Sequence, residues 1–129
     1  MPSLPLIILV AAGGAAGSVA RYLVGIATAG WLGAGFPSGT LAVNVAGSLL
    51  MGVAAGFAGA RSGLQAELKA LLMSGFLGGF TTFSAFSLDL VTLAERNAWN
   101  GAFAYLLASV GLSVAALLFG LWLTRAALG

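Results

Sequence analysis

Three phenylalanines, Phe80, Phe83 and Phe86, fall three residues apart in a stretch that also carries Thr81, Thr82, Ser84 and Ser87. Ring edges hold partial positive charge and hydroxyls donate hydrogen bonds, so the two together on one helix face offer a weakly polar path suited to a small, hard anion. An aromatic stripe at helical spacing in an apolar chain serves equally as core or lipid contact. Two features point beyond packing: the hydroxyls interleave with the rings, and the stripe directly follows the pair Gly78-Gly79. A helix interrupted there frees backbone groups that lipid cannot satisfy. Freed carbonyls near Gly78 and Thr81 suit a cation, while the positive ends of half-helices suit an anion. The residues alone leave both open.

Two further polar stripes recur at i, i+4 and i+8: Thr40, Asn44 and Ser48, and then Tyr105, Ser109 and Ser113. Each lines up on one helix face. Serine and threonine in membrane helices commonly bond back to their own backbone. Asn44 is different, because lipid cannot satisfy its amide; it ties two helices together or lines a cavity. Arg21, near the end of the first apolar segment, either snorkels to the interface or faces an aqueous vestibule that attracts anions.

The elements that must position these residues are membrane spans. Of 129 residues 60% are hydrophobic and only 6% charged, against roughly 25% charged in a soluble domain. The chain reads as one all-α transmembrane domain, residues 1–129, with four spans at about 4–29, 39–60, 64–94 and 99–124. No room is left for a soluble catalytic domain. Histidine and cysteine are absent, which removes the usual general base, the commonest metal ligand and thiolate chemistry. Five basic residues dispersed along the chain make no nucleic-acid footprint.

The first span carries Gly13 and Gly17 as a GxxxG seam. No Lys or Arg precedes its apolar run, so it reads as a span rather than a cleaved signal peptide. Trp31, Phe36 and Pro37 mark the first loop, with Ser38 expected to cap the second helix. Arg61, Glu67 and Lys69 are placed in a solvated second loop. The third span, about 31 residues, would make roughly 46 Å of unbroken helix, longer than a hydrocarbon core of about 30 Å. Its midpoint falls near Gly79. A break at the bilayer centre is therefore expected. Trp99 and Trp122 anchor the two ends of the fourth span.

Four spans place Arg61, Lys69 and Arg125 on one side of the membrane and Arg96, with Arg21, on the other. Three against two is almost no positive-inside bias. A chain without a preferred orientation can insert both ways, and opposed copies can pair about a two-fold axis in the membrane plane.

Gly14 to Tyr22 (GAAGSVARY), Gly39 to Gly47 (GTLAVNVAG) and above all Gly75 to Phe86 (GFLGGFTTFSAF) closely resemble the Fluc/CrcB family of small bacterial fluoride channels. The resemblance covers nearly the whole chain in order. It implies a multi-pass protein of the bacterial inner membrane, an antiparallel dual-topology homodimer with two fluoride pores and a structural sodium ion at the dimer centre. By position, the carbonyls of Gly78 and Thr81 from both subunits would hold sodium. Phe83 and Phe86 would face fluoride, with Asn44 as an amide donor beside them. Ser84, Thr40, Asp89, Tyr105, Ser109 and Ser113 match pore-side positions, and Arg21 matches the vestibule arginine. Two departures stand out: Ala85 replaces a threonine frequent in the family, and Asp89 stands where glutamate is frequent.

Physically, fluoride is small and strongly hydrated, so a pore must replace its water with several donors at once and still release it. An exporter of the small multidrug-resistance type has similar size, but it needs a carboxylate in its first span and residues 4–29 contain none. A non-transporting assembly subunit would explain the small-residue seams but not the Phe and Thr cluster. An intramembrane enzyme is poorly provided for, since Asp89 is the only acid placed within a span.

Overall fold

The structure, a computed structural model, describes residues 3–60 and 63–128. Arg61 lies outside the described residues. Four helices or helical runs are long and apolar enough to cross a membrane: Leu4–Leu32, Ser38–Ala58, Ala66–Glu95 and Trp99–Leu128. No strand occurs among the described residues. Helix α1 (Leu4–Leu32) starts where the Ser3 hydroxyl accepts the Leu6 N–H at 3.4 Å, with proline in its first turn, and stops at Gly33. Gly33 has φ +80°, a backbone conformation that glycine adopts without strain.

Helix α2 (Ser38–Ala58) begins after Pro37, and no side chain caps it. Ser38 is thus the first helical residue rather than the expected cap. Proline already fixes the backbone there and contributes no N–H. The third span contains α3 (Ala66–Leu68), a nine-residue π-helical segment (Lys69–Leu77), α4 (Gly78–Phe80) and α5 (Phe83–Glu95). Glu67 and Lys69, expected in the loop, lie in the opening turns of this span. A glutamate there complements the positive helix N-terminus. Between α4 and α5, Thr81 (φ −87°, ψ 154°) and Thr82 (φ −153°, ψ 119°) are extended.

Helix α5 ends at Glu95, capped by Arg96, and Asn97 just beyond takes φ +60°. Its N–H bonds Ala94 O at 3.0 Å and the Ala98 N–H bonds Leu93 O at 2.9 Å, the paired bonds of a Schellman motif that satisfy the last carbonyls. Helix α6 (Trp99–Leu128) follows at once.

Close backbone approach holds the spans together. Gly13 and Gly17 on α1 are buried against the third span, and a Cβ on either would run into backbone atoms of Leu71 or Phe76. The GxxxG seam therefore packs α1 within the chain. Helices α2 and α6 meet the same way, Gly52 against the Leu117 carbonyl and Gly120 against that of Leu49. The chief side-chain cluster, Phe86, Leu93, Ala102 and Tyr105, joins α5 to α6.

Candidate functional site around the extended residues Thr81 and Thr82

A continuous helix would direct the Thr82 N–H to the Gly78 carbonyl and the Ala85 N–H to that of Thr81. Neither donor goes there. The Thr82 N–H donates to Asn44 Oδ1 at 2.8 Å, and the Ala85 N–H donates to Thr82 Oγ1 at 3.1 Å. Thr82 thereby serves as the N-cap of α5. Its own carbonyl accepts from Asn44 Nδ2 at 3.0 Å. Asn44 thus ties α2 to the third span with both ends of its amide, and one Nδ2 hydrogen remains available.

The carbonyls of Gly78 and Thr81 lose their helical donors. Gly79 finds another: Arg21 Nε donates to its carbonyl at 3.1 Å. Arg21 is half-buried and engaged with backbone, so its charge sits against the negative end of the helix that stops there. It also lines a cleft with Tyr22, Thr40, Thr82 and Ala85. Among the described residues no group of three or more His, Cys, Asp or Glu could hold a metal ion. The oxygen donors on offer are carbonyls, and those of Gly78 and Thr81 fit a hard, weakly charged cation in chemistry. Gly78 is exposed on the single chain and Thr81 partly so.

Beside the extended residues runs a groove of about 360 Å³ whose lining includes Asn44, Ser48, Thr82, Phe83, Phe86, Ser109 and Ser113. The rings of Phe83 and Phe86 lie 5.4 Å apart, tilted by 52°. Phe86 is 5% exposed and Phe83 77%. The hydroxyl oxygens of Ser109 and Ser113 are buried without a hydrogen-bond partner among the described residues. Buried polar groups ordinarily make a hydrogen bond, so these two hydroxyls are free to meet a water molecule or an ion in the groove. The groove therefore sets rings and donors among aliphatic side chains, Met51, Val110, Val114 and Leu117.

Tyr105 is fully buried, and its hydroxyl donates to Asp89 Oδ2 at 3.0 Å. Its ring lies 5.2 Å from that of Phe86 and 5.6 Å from that of Phe36. Asp89 and Thr40 do not join Asn44 in the groove. They line a second cavity of about 270 Å³ toward the first and third loops, together with Phe36, Ser38, Thr92 and Arg96. Ser84 is exposed, its hydroxyl 3.2 Å from Thr82 Oγ1. The structure thus brings Asn44, Phe83, Phe86, Ser109 and Ser113 together and sets Thr40 and Asp89 apart beyond Tyr105. In the sequence, Arg96 counts only toward charge balance between the membrane faces, and Thr92 is not singled out. Their spacing from Asp89, i+3 and i+7 on one helix face, was the available signal.

Four apolar spans around a groove of aromatic edges and unpaired hydroxyls define a multi-pass membrane protein with a polar seam through its interior. The chain belongs to the family described as CrcB-like protein, Camphor Resistance (CrcB), whose model matches residues 8–121. It is 54% identical over 120 residues to the fluoride-specific ion channel FluC of Phenylobacterium zucineum, an alignment covering 92% of this chain and 94% of that one. The protein of the same name from Nitrobacter winogradskyi is 53% identical over 119 residues, covering 92% and 94%. That of Rhodospirillum centenum is 52% identical over 122 residues, covering 95% and 97%.

Proposed function

We propose that this protein is a fluoride-selective channel that lets fluoride leave the cell passively across the bacterial inner membrane, relieving fluoride toxicity. The observation that carries this reading is identity above half, over nearly full length, to relatives named fluoride-specific ion channels. The groove supports it. Asn44, with one amide hydrogen to spare, the unpartnered hydroxyls of Ser109 and Ser113 and the ring edges of Phe83 and Phe86 supply several weak donors in place of water. Among the described residues no cationic side chain lines that groove, so an anion there meets no fixed charge to trap it. The function is transport, with no catalytic step.

The working unit in this reading is an antiparallel homodimer with two pores. The 77% exposure of Phe83 and the open side of the groove favour a second copy completing each pore. The extended residues Thr81 and Thr82 break the third span near the bilayer midplane. There the carbonyls of Gly78 and Thr81 from both copies would hold a structural sodium ion, which would neutralise the carbonyl dipoles at the dimer centre. Arg21 would hold the adjacent carbonyl of Gly79 in place. Expression in a bacterial host that lacks fluoride export tests the proposal. Growth in fluoride restored by this chain supports it; unchanged fluoride sensitivity with the protein present in the membrane contradicts it.

A further inference from the structure

The cavity of about 270 Å³ beside Asp89 lies outside the Asn44 groove; its charged lining is Asp89 on α5 and Arg96 just past the end of α5, with hydroxyls from Thr28, Ser38, Thr40 and Thr92. Tyr105 separates the two spaces, its ring packed between Phe36 of this cavity and Phe86 of the groove. The cavity floor is unfavourable to an anion, because Asp89 brings a carboxylate and α5 turns the negative end of its dipole this way. The hydroxyls of Thr28 and Thr92 donate to helix carbonyls, that of Thr92 to Leu88 O at 2.8 Å. The hydroxyls of Ser38 and Thr40 also line the cavity, and among the described residues its positive charge comes from Arg96, whose guanidinium is permanently charged and rich in donors. Arg96 stands about 10 Å along the axis of α5 from Asp89.

We propose that this cavity is the anion-receiving mouth on the side of the first and third loops, that Arg96 gathers a small hydrated monovalent anion there against the charge of Asp89, and that Tyr105 is its inner wall. The inference rests on the fluoride reading and adds to it a charged residue outside the aromatic groove. A steering charge acts over a Debye length, about 30 Å at 0.01 M salt and about 3 Å at 1 M. Its signature is therefore a rate effect that salt erases.

Wild type, Arg96→Gln, Arg96→Glu and Arg96→Lys are reconstituted in liposomes, and fluoride efflux is followed with an electrode at low and high concentrations of an impermeant salt. Arg125→Gln, at the far end of the chain, controls for loss of one surface charge. At about 0.01 M salt Arg96→Gln is expected to be about three- to tenfold slower than wild type, Arg96→Glu slower still and Arg96→Lys close to wild type, with the differences closing near 1 M. Equal rates for wild type and Arg96→Gln at low salt overturn the inference. So does an Arg96→Gln defect that salt does not relieve, which marks a structural role. A wild type without fluoride flux sinks the channel reading and this inference with it, whereas a conducting wild type insensitive to Arg96 sinks this inference alone.

Discussion

Asn44 grips Thr82 at both ends of its side-chain amide, donating from Nδ2 to the Thr82 carbonyl at 3.0 Å and accepting the Thr82 N–H at Oδ1 at 2.8 Å. One side chain of α2 thus satisfies the Thr82 N–H that the extended backbone frees and adds a donor to the Thr82 carbonyl. In Asn44→Asp the acceptor survives, but the donor is lost and a charge faces the Thr82 carbonyl. Leaving such a group unpaired costs about 1–3 kcal/mol. Asn44→Asp is expected to lower the melting temperature in detergent and to reduce fluoride flux at least tenfold. Wild-type flux and melting together would remove Asn44 from both roles.

Phe86 packs against Tyr105 and lines the groove beside Asn44. Phe86→Ile keeps an apolar side chain but removes the polarised ring edge. Flux is expected to drop by an order of magnitude or more while the size-exclusion profile stays that of wild type. Unchanged flux would make the ring a packing element only.

Gly13 sits against the backbone of Leu71 and Phe76, with no room for a Cβ. Gly13→Leu must separate α1 from the third span, and overpacking of this kind costs about 1–3 kcal/mol or more. Poor recovery from membranes and a lower melting temperature are expected, with Gly25→Ala, where the site is open, close to wild type. Equal stability of the two variants would contradict the tight seam.

Orientation offers an independent check. With almost no charge bias between the two faces, two or three lysines added to the loop between α2 and α3 should fix one orientation. Such a variant is expected to be silent alone and active when expressed with a partner biased the opposite way. Full activity of the biased variant by itself would count against opposed copies.

Much of this was legible in the sequence because membrane burial is a severe filter. Four apolar runs announce four spans, and an asparagine in one of them announces a polar task, since lipid offers its amide nothing. Gly13 and Gly17 announced close approach, though not whether the neighbour lay in the same chain. The π-helical segment Lys69–Leu77 was not legible, because its residues suit an α-helix equally and its i→i+5 bonding leaves no compositional mark. Glu67 and Lys69 read as loop on charge, yet a charged residue is at home in the first turns of a span at the water boundary. Arg21 was open between interface and vestibule; its bond to Gly79 O belongs to a contact 58 residues distant in sequence, which local pattern cannot supply. The same holds for Tyr105 and Asp89, joined across α5 and α6.

The most direct test of the central claim is fluoride efflux from liposomes holding the purified chain, loaded with equal potassium fluoride and potassium chloride and triggered by valinomycin. A passive fluoride channel releases fluoride rapidly on addition of the ionophore, leaves chloride inside and needs no proton gradient. Release of both anions at similar rates, or of neither, would contradict the account.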